Sequence, residues 1–213
     1  MPRPNYDIEK SLMKSPADIV VGLDEAGRGC LAGPVVAAAA WLDPVRVPPE
    51  LLAHIDDSKK LAEARREEVA AKLRALPPEV FACTFASIEA AEIDSINILR
   101  ASLKAMEFAY RALVMHLPRK PTAALVDGNK APAIPDAMTV IKGDSKSLSI
   151  AAASIIAKVE KDRALSAIGL KYPGYDFDRN KGYPTAEHLE ALKRLGPCPE
   201  HRHTYAPVAN LVK

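Results

Sequence analysis

The chain has 213 residues, 48% of them hydrophobic and 26% charged, and its formal net charge is +2. This length supports one sizeable hydrophobic core and at most a small appendage, and the balanced charge excludes a polycation that attracts nucleic acid through its overall field. No apolar run approaches the roughly 18 residues that a bilayer span requires, which argues against a membrane partner.

The first half of the chain alternates loops with short apolar runs. Residues 1–17 carry charges but no apolar centre, and they predict a leader that is partly helical. A β-branched run over residues 18–24 predicts a buried strand, and residues 34–42, after a glycine-rich turn, predict its hairpin partner. A charged helix with one apolar face is expected over residues 62–76, followed by a strand over 80–86.

The second half contains the strongest helical pattern. From Ile96 to Leu117 the apolar residues recur at steps of three and four, which predicts an amphipathic helix with its cap at Asp94 or Ser95. Strands are predicted over residues 122–128 and 138–144, and helices from just after Asp144 and near residues 185–195.

Strands cluster first and then alternate with helices, which is typical of a mixed sheet with helices packed on it, an α/β layer fold. We divide the chain into a leader (residues 1–17), a catalytic core (18–170) and a C-terminal substrate-binding extension (171–213). All three parts are expected to belong to a single structural domain.

Three predicted strands end in an aspartate, namely Asp24, Asp127 and Asp144, and Glu25 follows the first. Ligand sites in open α/β sheets gather outside strand ends, so these carboxylates are expected to converge. Each aspartate alone fits a turn or a helix cap better, and it is the repetition that favours a shared site. Because consecutive strand residues point to opposite faces, Asp24 and Glu25 can both point inward only if the strand ends or twists there.

Converging carboxylates repel one another, and their burial costs several kcal/mol each. Divalent cations relieve both costs, and oxygen ligands without cysteine or histidine favour Mg²⁺ or Mn²⁺ over zinc. Two such ions can activate a water and stabilise a leaving oxygen in phosphodiester cleavage. The candidate catalytic residues and metal ligands are therefore Asp24, Glu25, Asp127 and Asp144.

Gly27, Arg28 and Gly29 form a loop that is almost without side chains around one cation. The missing Cβ atoms let the backbone approach a ligand closely, such as the ribose 2′-OH that distinguishes RNA from DNA. The arginine can form a bidentate contact with a phosphate. On its own this pattern indicates only a hairpin loop that needs positive φ, and the adjacent Asp24 and Glu25 favour the functional interpretation.

The cysteines and histidines do not form a recognisable metal site. Cys30, Cys83 and Cys198 are odd in number and far apart, which argues against a disulfide framework and favours the reducing cytoplasm. The spacing of the C-terminal histidines fits no zinc site, so we expect them at the surface. His201 and the neighbouring Arg202 are candidates for phosphate contacts.

Six blocks of the sequence are distinctive: GLDEAGRGCLAGPVVAAA (residues 22–39), DSKKL (57–61), VDGN (126–129), KGDSKSLSIAAASIIAKVEKD (142–162), NKGYPT (180–185) and EHRHTYAPV (200–208). In this order they resemble the motifs of the type 2 ribonucleases H, specifically bacterial ribonuclease HII. They span residues 22–208, nearly the whole chain. One such block could mislead, whereas six in order are highly specific.

The resemblance implies a ribonuclease H-like fold, a mixed sheet flanked by helices with a small C-terminal helical extension. It also implies hydrolysis of the RNA strand of RNA/DNA hybrids and nicking on the 5′ side of single ribonucleotides in duplex DNA. The reaction would use two metal ions and leave 3′-hydroxyl and 5′-phosphate ends. The expected partners are therefore RNA/DNA hybrids and DNA duplexes that contain ribonucleotides, and a monomer is the default assembly.

The resemblance also assigns roles by motif position. The family's metal-binding acids fall on Asp24, Glu25, Asp127 and Asp144. Its loop that senses the 2′-OH falls on Gly27, Arg28 and Gly29, and its tyrosine that packs against the following sugar falls on Tyr183. The sister family, ribonuclease HIII, typically carries lysine where Arg28 stands, so Arg28 favours ribonuclease HII. Two departures are Cys30, where proline is more usual, and Thr204-Tyr205, where Ser-Phe is commoner.

Four further candidates for substrate binding each allow a second interpretation. Lys59 is by composition a solvated charge, and the resemblance makes it a contact to the substrate backbone. Lys146 either binds phosphate or balances the charge of the acids. Ser147 lies in the first turn of a helix, where it can simply satisfy backbone donors. A loop tyrosine such as Tyr183 is usually a packing residue, but neighbouring cations suit a sugar or base contact.

Other functions on a similar fold stay open from the sequence. A junction resolvase would cut branched DNA without ribose, and ribonuclease HIII would cut long hybrids without preference for a junction. A non-catalytic nucleic-acid binding module has no need of four acids. A nucleotide switch is the weakest alternative, because the chain has no GxxxxGK[ST] loop.

Overall fold

The structure is a computed structural model that describes residues 3–211. Its elements are, in chain order, α1 (Asp7–Leu12), β1 (Val20–Ala26), β2 (Val35–Leu42), α2 (Pro49–Leu52), α3 (Glu63–Arg74), β3 (Phe81–Ile88), α4 (Ala90–Ile96), α5 (Ile98–Val114), β4 (Ala123–Asp127), β5 (Ala137–Val140), a 3₁₀ turn (Gly143–Ser145), α6 (Leu148–Lys171), a second 3₁₀ turn (Pro173–Tyr175), α7 (Phe177–Asn180), α8 (Ala186–Leu195) and α9 (Ala206–Ala209). Residues 1–2 of the predicted leader and 212–213 of the predicted extension lie outside the described residues.

The described residues form one mixed five-stranded sheet in the order β3-β2-β1-β4-β5. The strands β1, β2 and β3 form an antiparallel meander, whereas β4 and β5 run parallel to β1. The carboxyl ends of β1, β4 and β5 therefore meet at one edge of the sheet. This confirms the predicted mixed α/β sheet, and it also places the acid-bearing segments side by side.

Helix α6 packs across one face of the sheet at unusually close range. A Cβ atom on Gly22 would lie 2.1 Å from the carbonyl carbon of Ser149, so the helix backbone rests directly on β1. The alanines at 151, 152 and 153 of α6 are fully buried against the sheet. The small side chains of this helix thus allow its close packing on the sheet.

Helix α5 covers the opposite face, but it begins differently from the prediction. The predicted helix is interrupted at Asn97, whose φ of 69° separates α4 from α5, and the Asn97 side chain caps α5 by accepting from the Arg100 amide. Asp94 is therefore not the cap. Its carboxylate instead accepts hydrogen bonds from the amides of His203 and Thr204 at 2.7 and 2.9 Å, which ties the C-terminal segment to α4.

The N-terminal segment packs on the core, as helix α1 shows. Glu9 is fully buried, and its Oε1 accepts hydrogen bonds from the Ser147 hydroxyl at 2.6 Å and from the amide and hydroxyl of Ser149. Tyr6 is also buried and donates to the Leu42 carbonyl on β2. The partly helical character predicted for the leader is confirmed, and the Glu9 carboxylate anchors the start of α6.

Among residues 3–211, no helix combines the length and the apolar composition needed to cross a membrane.

Replacement of Glu9 by alanine is expected to lower the free energy of unfolding by about 2–4 kcal/mol, because two buried hydroxyls and one amide lose their acceptor. Urea titration followed by circular dichroism measures this change. Asp7→Ala on the same helix is the control, because Asp7 is exposed and should cost at most about 1 kcal/mol. Equal small losses in both variants would contradict the anchoring role of Glu9.

Candidate active site

Asp24 lies inside β1 rather than at its end. The pairing of β1 with β2 continues through Glu25 and Ala26, so the prediction that the strand ends at Asp24 is wrong. Pairing with β4 stops earlier, with Leu23 opposite Val126. Asp24 therefore stands level with the end of β4. The sheet is open on that side, so a ligand can reach the carboxylate although the residue is only 5% exposed.

Asp144 also departs from the predicted strand end. Strand β5 stops at Val140, and Asp144 lies in the 3₁₀ turn Gly143–Ser145 that follows it. The turn is held toward β4 because the Gly143 amide donates to Asp127 Oδ1 at 2.6 Å. One hydrogen bond thus orients Asp127 and fixes the segment that carries Asp144.

The structure brings three of the four predicted ligands together. Asp24, Asp127 and Asp144 each offer a carboxylate oxygen, and these atoms all lie within 4.8 Å of one another. Three carboxylates at this spacing form a donor set that suits a hard divalent cation. The predicted convergence is thus confirmed for the aspartates.

Glu25 points to the other face of the sheet, as the alternation along a strand requires. It lines a small cleft beneath α5 together with Arg28, Asp127 and Lys130, and its Oε1 accepts from Arg28 Nη1 at 3.2 Å. The four-carboxylate cluster expected from the sequence is therefore a cluster of three, with Glu25 beside it. Glu25 reaches the same open edge from the far side of β1.

Electrostatic repulsion marks this site. Burial and the nearby carboxylates of Glu25 and Asp127 raise the pKa of Asp24 well above its usual range. Burial and Asp127 also raise the pKa of Asp144, and burial raises that of Glu25 despite the neighbouring Arg28. A bound cation would favour the ionised form of every one of these groups.

The predicted cations differ in their contacts. Lys59 Nζ lies 3.5 Å from Asp144 Oδ2 while its side chain is 78% exposed, and Asp144 and Asp24 raise its pKa although partial burial lowers it. Lys59 is thus beside the acids and open to a ligand. Lys146 is exposed two residues beyond Asp144.

Ser147 does not face a ligand. It is fully buried, its hydroxyl donates to Glu9, and its oxygen caps α6 by accepting from the Ile150 amide. This contradicts the predicted contact with substrate and supports the alternative, that Ser147 satisfies backbone donors at the helix start.

The GRG loop leaves β1 directly beside the acids. Gly27 has a φ of +96°, and a Cβ there would lie 2.9 Å from the Pro34 carbonyl, so only glycine fits without strain. Arg28 is half exposed. Gly29 is exposed, and a Cβ atom on it would meet nothing within 4 Å beyond its chain neighbours. The loop thus presents an arginine and a bare backbone segment to solvent, as the sequence predicts.

Tyr183 stands next to this loop on the segment between α7 and α8. The residue is 37% exposed, and the buried Lys161 Nζ lies 4.6 Å from the ring centroid. Burial and the neighbouring Cys30 raise the pKa of Tyr183 to about 12. The Leu31 amide donates to the Gly182 carbonyl at 2.7 Å. The GRG loop and the tyrosine therefore belong to one connected surface.

Two histidines that the sequence places at the surface are fully buried beneath Tyr183. His188 Nδ1 lies 2.8 Å from the Tyr183 carbonyl, and the Nε2 atoms of His188 and His201 are 3.1 Å apart. Burial lowers both pKa values, that of His201 to about 4. His188 shares a buried helix face with Leu192, a spacing that could have revealed its burial from the sequence.

Arg202 is likewise fully buried, so the phosphate contact predicted for His201 and Arg202 is wrong. The guanidinium lies inside the protein against the GRG loop, where its Nη1 donates to the Arg28 carbonyl at 3.1 Å. The Arg202 side chain of the C-terminal block therefore points toward the GRG loop and not toward solvent.

Replacement of Asp24 by asparagine is expected to raise the melting temperature of the metal-free protein by about 2–6 °C at pH 7–8. The raised pKa of Asp24 means that its charge destabilises the folded state above the unfolded value of about 4. The gain should therefore shrink as the pH falls toward 4. Differential scanning fluorimetry across this range measures it.

Asp136→Asn serves as the matched control. Asp136 is exposed next to the opposite end of β5, in a left-handed conformation that asparagine tolerates. Its melting temperature should stay near that of the wild type. An equal rise in both variants, or none in Asp24→Asn, would contradict the account of the carboxylate cluster.

Comparison with known proteins agrees with this geometry. The family model described as Ribonuclease HII matches residues 21–208. A protein named Ribonuclease HII from Paramagnetospirillum magneticum is 52% identical over 192 residues, which cover 90% of this chain and 92% of that protein. One of the same name from Rhodospirillum rubrum is 51% identical over 199 residues, 93% of this chain and 88% of that protein.

A solved structure gives the same result for the fold. The crystal structure of the ribonuclease H2 from Pyrococcus horikoshii superposes with a TM-score of 0.70 at 27% identity, covering 91% of this chain and 96% of that chain. The sheet flanked by helices is thus the ribonuclease H-like fold. The chain belongs to the ribonuclease HII family and is a hydrolase, an endonuclease with ribonuclease H activity.

Proposed function

We propose that this protein uses Mg²⁺ or Mn²⁺, held by Asp24, Asp127 and Asp144, to nick duplex DNA at embedded ribonucleotides and to cut the RNA strand of RNA/DNA hybrids. The observation that carries the proposal is the spacing of these three carboxylates, whose oxygens lie within 4.8 Å of one another at the open edge of the sheet. Their mutual repulsion gives the site a reason to bind a divalent cation.

Glu25 completes the proposed ligand set from the other face of β1. The charge of Asp127 contributes to the raised pKa of Glu25, and the two residues line the same cleft. When bound, a pair of ions would activate a water and stabilise the leaving 3′ oxygen, giving 3′-hydroxyl and 5′-phosphate ends. Asp24 is close to both Glu25 and Asp127, so it would help to hold both ions.

The GRG loop and Tyr183 are proposed to select the cut position. The bare backbone at Gly29 suits close contact with a ribose 2′-OH. Tyr183 offers a partly exposed ring to the sugar that follows. Direct backbone contact between the two segments, from Leu31 to Gly182, keeps their spacing fixed.

Lys59, Arg28 and Lys146 are proposed to hold the substrate backbone. Lys59 and Arg28 each pair with one acid of the site while a large part of their side chains stays exposed, so a phosphate can replace or extend these pairs. Contacts of this kind position a duplex without reading its bases, so sequence preference should be weak.

Arg28 favours this function over that of a ribonuclease HIII, in which lysine is typical at this position. The open backbone at Gly29 favours it over a junction resolvase, which has no ribose to recognise. We propose a monomer as the default assembly, and the three free cysteines suit the cytoplasm. We also propose the division into leader, core and extension, in which the core ends near the end of α6.

A nicking assay on duplex DNA with a single ribonucleotide tests the proposal. The expected result with Mg²⁺ or Mn²⁺ is one cut on the 5′ side of the ribonucleotide, abolished by chelator. Asp24→Asn should lower kcat by about 10³-fold or more, because a ligand carboxylate contributes several kcal/mol to this chemistry. Asp136→Asn, at the far side of the sheet, should retain full activity.

Folded protein that binds the duplex but makes no cut with either ion would contradict the proposal and favour a binding module. Equal cutting of branched DNA without ribose would favour a resolvase. Efficient cutting of long hybrids with no preference for the junction would favour a ribonuclease HIII-like activity.

A further inference from the structure

Arg202 is a fully buried guanidinium without a carboxylate partner in the described part of the chain. Its Nε and Nη2 donate to the Gly33 carbonyl at 3.1 and 3.0 Å, and its Nη1 donates to the Arg28 carbonyl and the Tyr205 hydroxyl. A buried charge held only by neutral acceptors costs stability that an apolar residue would not. Apart from the Tyr205 hydroxyl, its acceptors lie at the two ends of the glycine-rich loop, at Arg28 and Gly33.

Tyr205 adds a second hydrogen bond to the same point. Its hydroxyl donates to the Arg28 carbonyl at 2.8 Å, and its ring lies 5.2 Å from the Arg202 guanidinium carbon. The Arg28 carbonyl therefore accepts from both residues. Phenylalanine, the commoner residue at this position of the resembling motif, would leave Arg202 as the sole donor.

These two hydrogen bonds fix the orientation of a whole peptide plane. In a planar trans peptide the C=O and the following N–H point in opposite directions. Because the Arg28 carbonyl is drawn toward the buried Arg202, the Gly29 amide must point away from the core. No acceptor within residues 3–211 takes up this amide, and Gly29 itself is exposed, with room for a Cβ atom that would meet nothing within 4 Å beyond its chain neighbours.

We infer that Arg202 and Tyr205 are positioning residues that aim the Gly29 amide at the ribose 2′-OH. They touch no substrate themselves and act through the Arg28–Gly29 peptide. The inference rests on the proposed function, since it specifies how the GRG loop recognises ribose. It also accounts for a basic residue that the C-terminal block directs inward.

The segment that carries these residues is anchored independently of the loop. Asp94 accepts from the amides of His203 and Thr204 and from the Thr204 hydroxyl. Thr204→Val removes one of these anchors without a contact to Arg28. It therefore separates the stability of the segment from the orientation of the Arg28–Gly29 peptide.

The test compares two quantities for each variant. The first is kcat/KM on a duplex with one ribonucleotide, and the second is the inhibition constant of the same duplex made entirely of DNA, which binds without a 2′-OH. Arg202→Met should lower kcat/KM about tenfold or more, and Tyr205→Phe about threefold, since each removes hydrogen bonds that orient the amide. The inhibition constant should stay within about twofold of the wild-type value.

Thr204→Val should have a lower melting temperature than the wild type but the same kcat/KM and the same inhibition constant. The inference is overturned if folded Arg202→Met and Tyr205→Phe retain wild-type kcat/KM, if inhibition by the DNA duplex weakens by the same factor, or if Thr204→Val loses as much. Should Arg202→Met fail to fold, Tyr205→Phe decides alone. A wild type that cuts both duplexes equally would instead overturn the proposed function.

Discussion

The repulsion among three carboxylates, of which two are buried and one is partly buried, is the constraint on which the rest of this structure depends. Asp24, Asp127 and Asp144 come from three different segments, and their oxygens are held within 4.8 Å of one another. Such an arrangement opposes folding, so the surroundings must fix it. Three contacts hold these segments in place. Helix α6 packs directly on Gly22, the Gly143 amide donates to Asp127, and the buried Glu9 anchors the start of α6. A divalent cation would turn this unfavourable cluster into a stable site.

The substrate-facing surface depends on a second set of polar contacts, which lie behind the GRG loop and Tyr183. Arg202 and Tyr205 support the GRG loop from below through the Arg28 carbonyl, while His188 supports the backbone at Tyr183. The residues proposed to meet the substrate are thus exposed backbone and partly exposed side chains. Of the residues that fix their geometry, Arg202 and His188 are fully buried and Tyr205 is partly buried. Specificity for ribose would then be set in the interior of the C-terminal extension as much as on its surface.

The sequence predicts the fold class, the positions of the principal elements and the three clustered aspartates, because these follow from local hydrophobic patterns and the topology of parallel strands. It fails where tertiary contacts override local signals. Strand β1 runs past Asp24 because β2 continues to pair with it. Asn97 adopts positive φ and splits a helix whose apolar periodicity is continuous. The burial of Arg202 and His201 has no local signal in the sequence. Arg202 contacts Arg28 in a distant part of the chain, and His201 contacts His188 only because the fold brings the two rings together.

The most direct test of the metal centre is a crystal structure grown with Mn²⁺ and a ribonucleotide-containing duplex, with anomalous scattering recorded at the manganese edge. We expect an anomalous peak from a manganese ion that is ligated by oxygens of Asp24, Asp127 and Asp144 at about 2.1 Å. A crystal in which the duplex is bound but this position shows no peak, with manganese bound elsewhere or not at all, would contradict it.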